Sequence, residues 1–275
     1  GNTGPVRIGN AAAEQQQNDL MGELVLCLQT MLTDPRIVIE QPHTFFPLVQ
    51  RLVEQAIALA PLADTGIWEF RTMPRHYTFS RAMCWAAIDR GAMIAKAFGM
   101  RDLEAKWTAI ARDERDTILT RGYNATLGCF TQALDGEHGD AANLLFPSIG
   151  LVDARDPRFV ATLDDYARRM TRGGLMQRYT NLDDFGVTTS AFTMCSFWWA
   201  EALALAGRLE EAIRVFDRVV AHANPLGLFS EDIDPETGEL LGNFPQAYTH
   251  VGLIHAAMTI GELVDARDGR VRAWV

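Results

Sequence analysis

Two glutamates in unlike surroundings are the residues of this chain whose types best suit acid and base chemistry. Glu69 lies in GIWEFR, after Ile67 and Trp68 and before Phe70. A carboxyl set among aromatic groups is disfavoured in its ionised form, which suits a general acid. Glu231 lies in GLFSEDIDPETGELLGNFPQA, after Ser230 and ahead of Asp232, Asp234 and Glu236, a polar setting that suits a carboxylate that stays charged. Hydrolysis of a glycosidic bond needs such a division of labour: one carboxylic acid protonates the leaving oxygen, and one carboxylate activates water or attacks the sugar. Residue type alone does not pair the two, because an isolated loop glutamate is ordinarily a solvated charge.

The elements that must position them read as helices. Leu103, Trp107, Ile110, Ala111 and Ile118 repeat at helical spacing among Glu104, Lys106, Arg112 and Glu114, giving one apolar stripe on a polar helix that stops at Gly122. Ala212, Ile213, Phe216, Val219 and Val220 make a second such helix. By contrast, Ser190–Gly207 and Thr78–Gly99 are apolar almost all round, as a helix with neighbours on every side is. Buried and amphipathic helices thus alternate, which predicts helix hairpins in two concentric layers. About nine helices are expected, near residues 10–32, 43–60, 76–98, 101–120, 139–147, 157–172, 189–206, 209–223 and 244–266, with ends good to ~2–4 residues. Turn-forming residues cluster at 124–139 and 225–243. Function in such a scaffold belongs on the loops, where both glutamates lie.

Composition narrows the partners. The chain has 275 residues, 48% hydrophobic and 22% charged, with 25 Lys+Arg against 35 Asp+Glu and a formal net charge of -10. One domain spanning 1–275 is the simpler reading of that length. The acidic balance argues against nucleic acid, because phosphate binding needs a clustered basic surface, and against an anionic membrane. A neutral sugar suits it. Cys27, Cys84, Cys129 and Cys195 are widely spaced, without a zinc pattern, and are expected as reduced thiols. No secretory leader pattern or membrane-spanning run is visible, so a cytoplasmic location is expected.

The stretch GIWEFRTMPRHYTFSRAMCWAAIDR, Gly66–Arg90, resembles the segment of glycoside hydrolase family 15 in which a Gly-Ile-Trp-Glu motif carries the general acid. NPLGLFSEDIDPETGELLGNFPQAYTHVGLIHAA, Asn224–Ala257, is similar to the family's second signature, in which the Glu after Leu-x-Ser is the general base. A third stretch, VRIGNAAAEQQQNDLMGEL from Val6 to Leu24, resembles one found in bacterial glucoamylase-like and trehalase-like members. The resemblance implies an all-α (α/α)6 barrel, inversion at the anomeric carbon, α-linked glucosides as substrates and no redox cofactor; no metal-ligating residue is singled out. It implies Glu69 as acid and Glu231 as base, with carboxyls ~6.5–9.5 Å apart so that a water fits between them.

Two further roles follow from the same resemblance. Trp68 would line the sugar pocket, and Arg178 would grip sugar hydroxyls with its fork of donors. The residues themselves equally allow Trp68 as a core anchor and Arg178 as an ion-pair partner of Asp183 or Asp184. His76 and His250 are expected to be structural, and Trp198-Trp199 to be core.

The chain also departs from the family pattern. About nine of twelve barrel helices are accounted for, the Trp-x-Arg-Asp motif of the first helices is absent, and Thr189-Ser190-Ala191-Phe192 stands where bacterial relatives carry Glu-Gly-x-Phe. An apolar seam is therefore expected, covered by a partner copy, a separate N-terminal fragment or a rearranged N-terminal segment. The alternative in a different class is a family relative with weak or no catalysis, which binds carbohydrate or serves as a helical scaffold. AGRLEEAIRVFDRVV has the look of a repeat unit, but no period near 34 or 40 residues supports a repeat fold.

Overall fold

The computed structural model describes residues 11–34, 36–184 and 186–270; Val6–Asn10 of the third stretch lie outside them. Eight α-helices are present among the described residues: α1 (Leu20–Thr33), α2 (Phe46–Leu59), α3 (Thr78–Ala97), α4 (Arg101–Arg121), α5 (Pro157–Arg169), α6 (Thr193–Leu205), α7 (Leu209–Val220) and α8 (Ala247–Arg267). Strands are confined to two-residue pieces: β1 (Tyr123–Asn124), β2 (Cys129–Phe130), β3 (Thr171–Arg172), β4 (Leu175–Met176), β5 (Leu182–Asp183), β6 (Gly186–Val187), β7 (Ala191–Phe192), β8 (Asp232–Ile233) and β9 (Leu240–Leu241). The first six pair as antiparallel hairpins, and the last three form one sheet in the order β7-β8-β9.

The helix expected near 139–147 is a five-residue 3-10 turn, Ala141–Leu145. Asp140 caps it by accepting from the Ala142 amide, and Pro147 follows after Phe146. Too few residues remain for α-helical bonding to propagate. The helix expected from residue 10 begins in earnest only at Leu20. A 3-10 turn, Ala11–Glu14, precedes an extended stretch that bonds elsewhere.

The chain divides into two compact units, Gly1–Thr120 and Arg121–Val275. In the first, α3 is buried over most of its length, as its largely apolar sequence requires. Helix α1 crosses it closely at Gly22, where a Cβ would stand 2.4 Å from the Met83 carbonyl oxygen. Helix α2 presses Val53 onto Gly91 of α3, and Phe46 stacks on Trp107 of α4 at 6.4 Å. Arg81 of α3 and Glu114 of α4 form a part-buried ion pair at 2.8 Å. Only Trp107, Ala111, Ile118 and Leu119 of α4 are buried, which is the one-sided burial its stripe predicts.

In the second unit α6 is the buried helix, packed by α7 and α8. Leu175, Ala191, Phe197, Val219, Phe229, Ile233 and Ala256 make a core there, each fully buried large side chain contributing roughly 1.5–3 kcal/mol. Amphipathic α7 buries Ala212, Val215 and Val219. Among the described residues, no helix is long and apolar enough to cross a membrane.

Candidate active site

Glu69 sits in the loop between α2 and α3, and an unusual backbone conformation sets its position. Its φ is 59°, and Asp135 is the only other non-glycine residue with positive φ among the described residues. The Glu69 amide donates to the Gly66 carbonyl at 3.1 Å, and the Phe70 amide to the Thr65 carbonyl at 2.9 Å. This is the bonding of a closed turn whose left-handed position glycine ordinarily fills. A glutamate held there carries strain of order 1–3 kcal/mol, of the kind that clusters at functional sites.

Expected enclosure among aromatic groups is not found. Ile67 and Trp68 are half-buried and Glu69 is exposed, while Phe70 turns inward and stacks on Tyr77 at 5.2 Å and 8°. The left-handed step separates the two neighbours, sending Phe70 to the core and Glu69 to solvent. The base of the loop is closed by paired backbone bonds between Asp64 and Arg75.

Glu231 lies in the second unit, between α7 and α8, directly before β8. Its carboxylate Oε2 accepts from the amide and the side-chain nitrogen of Asn243, at 3.0 and 2.9 Å. The adjacent Gly242 makes this approach possible, because a Cβ there would stand 2.6 Å from the same oxygen. Its backbone bonds both ways as well, the amide to Asn243 O and the carbonyl accepting from Thr193 at the start of α6. A bond from Gln246, at the start of α8, to Phe229 O fixes the other end of the loop. The loop that carries the glutamate is thus tied to the N-terminal ends of two helices.

Asp232 and Arg178 share this neighbourhood. Burial pushes the Asp232 carboxyl up to about 6, with the charge of Glu231 adding to the rise and that of Arg178 opposing it. The Arg178 guanidinium carbon lies 5.1 Å from the Phe192 ring centroid and 5.8 Å from that of Tyr179, a geometry in which aromatic faces hold a cation. Asp183 receives the Tyr179 hydroxyl at 2.7 Å. His250 is packed edge-on to Phe229 with Nδ1 2.7 Å from the Gln246 carbonyl, and His76 is exposed at the end of the first loop.

Sequence reasoning missed Asn243, Gly242 and Asp232. The Gly-Asn pair after Leu240-Leu241 reads as ordinary turn chemistry, and only its spacing from Glu231, across a two-strand hairpin, hints that it returns to the glutamate. All four cysteines are free, three of them buried and Cys27 exposed.

The chain is similar to several curated trehalases along most of its length. A trehalase of Mycolicibacterium smegmatis is 37% identical over 262 residues, which are 94% of this chain and 39% of that protein. A trehalase of Mycobacterium tuberculosis is 38% identical over 93% of this chain and 38% of its own length, and one of Thermoplasma volcanium is 35% identical over 98% and 43%. The chain thus spans about two fifths of the length of the curated relatives it matches. Among solved structures, a glycosidase variant in complex with glucose superposes with a TM-score of 0.76 at 16% identity, over 93% of this chain and 70% of that one. A bacterial glucoamylase complexed with acarbose gives 0.73 at 16%, over 92% and 43%. These likenesses show the fold class, the all-α (α/α)6 barrel type of the glucoamylases. The sequence profile described as "Glycosyl hydrolases family 15" matches residues 1–258, and the chain belongs to that family.

Proposed function

We propose that this chain carries the catalytic pair of an inverting glycoside hydrolase acting on α-linked glucosides, with Glu69 as general acid and Glu231 as general base. The observation that carries the reading is that the two family motifs coincide with the two glutamates whose loops are built to hold them: one in a left-handed turn, one gripped by Asn243. The names of the relatives favour trehalose, an α,α-linked disaccharide, over maltooligosaccharides.

In the proposed step Glu231 takes a proton from water as the water oxygen attacks the anomeric carbon. The bond from that carbon to the bridging oxygen breaks, and the bridging oxygen receives the proton of Glu69. Atoms and charge balance, and two glucose molecules leave. The reaction requires the carboxyls ~6.5–9.5 Å apart, so that water lies on the face opposite the leaving group. Arg178, held against Phe192, has donors suited to sugar hydroxyls, and Trp68 supplies an aromatic surface beside the acid.

Glucose release from trehalose and from maltooligosaccharides tests the proposal. The wild-type protein is expected to release glucose, and Glu69→Gln and Glu231→Gln each to lower the rate at least ~100-fold, the lower end of what a positioned acid or base contributes. Equal rates in wild type and both variants would sink it.

A further inference from the structure

The segment Gln15–Asn18 runs alongside the Glu69 loop and is bonded to it at each of its four residues. Gln15 Nε2 donates to the Glu69 carbonyl at 3.0 Å, and Gln17 Nε2 to the Gly66 carbonyl at 3.2 Å. Between them the Gln16 carbonyl accepts from the Thr65 amide at 3.0 Å and its hydroxyl at 2.9 Å. The Asn18 amide donates to Asp64 Oδ2 at 3.0 Å. The alternation is that of an extended chain, which turns residues i and i+2 to the same side: two side chains and one intervening backbone group grip successive points of one loop.

The strap is itself anchored. Asn18 is buried and donates from Nδ2 to the Leu59 and Leu62 carbonyls, at 3.3 and 3.4 Å, and Cys84 of α3 donates its thiol to the Asn18 carbonyl at 3.3 Å. Asp64, where the loop leaves α2, is buried too. The free ends of the strap are the two carboxamides, and they reach the carbonyls that bracket the left-handed turn.

Glutamine fits this task for a chemical reason. Its amide donates without carrying charge, whereas glutamate has no donor when ionised and would set a second negative charge near Glu69, and lysine would set a positive one there. We propose that Gln15 and Gln17 are positioning residues for the general acid, holding Glu69 in its left-handed conformation through the carbonyls of Glu69 and Gly66. The role rests on Glu69 being the acid; the strap itself does not.

Two readouts separate those levels. In a Gln15→Met, Gln17→Met double variant, hydrogen exchange at the Glu69 and Phe70 amides is expected to rise at least 10-fold with an unchanged melting midpoint. On trehalose, kcat is expected to fall while KM holds. In Gln15→Glu, the rate relative to wild type should recover as pH falls toward the ordinary glutamate value of about 4.3, since a protonated carboxyl regains a donor; a merely structural lesion has no such pH dependence. Unchanged exchange at both amides overturns the proposal whatever the activity. Raised exchange with an unchanged kcat, in a protein whose Glu69→Gln variant is inactive, overturns it too. A Glu69→Gln variant as active as wild type removes the acid assignment instead, so the two failures are told apart.

Discussion

Glu69 occupies a backbone conformation that glycine would adopt at no steric cost, and that conflict is measurable apart from activity. Its φ of 59° falls in the left-handed region, which costs an L residue with a Cβ roughly 1–2 kcal/mol. Glu69→Gly is therefore expected to be more stable than Glu69→Ala by about 1 kcal/mol once the greater entropy of unfolded glycine is subtracted, while both lack the carboxyl. Urea unfolding midpoints check this, and an alanine variant as stable as the glycine one would contradict it.

Asp232 presents the opposite kind of tension, electrostatic rather than steric. Its carboxyl ionises near pH 6 in the folded protein against an ordinary value of 3.8, burial being the first cause and Glu231 the second contributor to the rise. Between about pH 4 and 6 the folded state therefore keeps a proton that the unfolded chain has lost, so stability falls as pH rises through that window. Asp232→Asn should match wild type near pH 4 and be more stable by up to about 2–3 kcal/mol near pH 8, since each tenfold difference in proton affinity between the folded and unfolded states is worth about 1.4 kcal/mol. Burial likewise pushes Asp19 up to about 6, so the difference between the two proteins, rather than the wild-type curve alone, isolates Asp232. A difference that does not vary with pH would count against the account.

At the scale of elements, the first and last helices in the sequence each leave apolar side chains exposed. Helix α8 buries only Thr249, Gly252, Ala256 and Ile260, while Tyr248, Val251, Ile254 and Met258, spaced along one face, are 46–69% exposed. On α1, Leu20 and Leu24 are exposed one turn apart and free Cys27 lies exposed one turn further on. Bare apolar faces of this kind favour association, and we propose a second copy of the chain as the partner of the α8 face. Light scattering after size exclusion should find it larger than a monomer at micromolar concentration, and Val251→Lys with Ile254→Lys should shift it toward monomer. A monomer that the double substitution leaves unchanged would contradict this.

For the molecule as a whole, helix type was the most legible feature. Periodicity identified α4 and α7 as one-sided and α3 and α6 as buried, because a stripe of apolar residues has a single packing solution. Where short pieces were concerned it failed: Asp140 and Pro147 confine a 3-10 turn that apolar content made look helical, and Gln15–Asn18 reads as helix until its hydrogen-bonding partners in the loop at 64–70 are known. The site was legible only as motifs. Glu69 and Glu231 came from resemblance, whereas the reason each is held where it is lies in residues far off in sequence, Gln15 and Gln17 for one, Asn243 and Gly242 for the other. No pattern of residue types announces such pairings, because they arise from loop closure rather than from period.

We propose that water enters at the anomeric carbon opposite the leaving oxygen, with Glu69 and Glu231 sharing the proton work. Proton NMR of the first glucose released from trehalose tests it most directly, taken before the anomers interconvert. Inversion at one glucose unit while the other keeps its configuration predicts α- and β-glucose in equal amounts at early times, and no release above background from Glu69→Gln or Glu231→Gln. Early release of α-glucose alone, or release that survives both substitutions, would contradict the account.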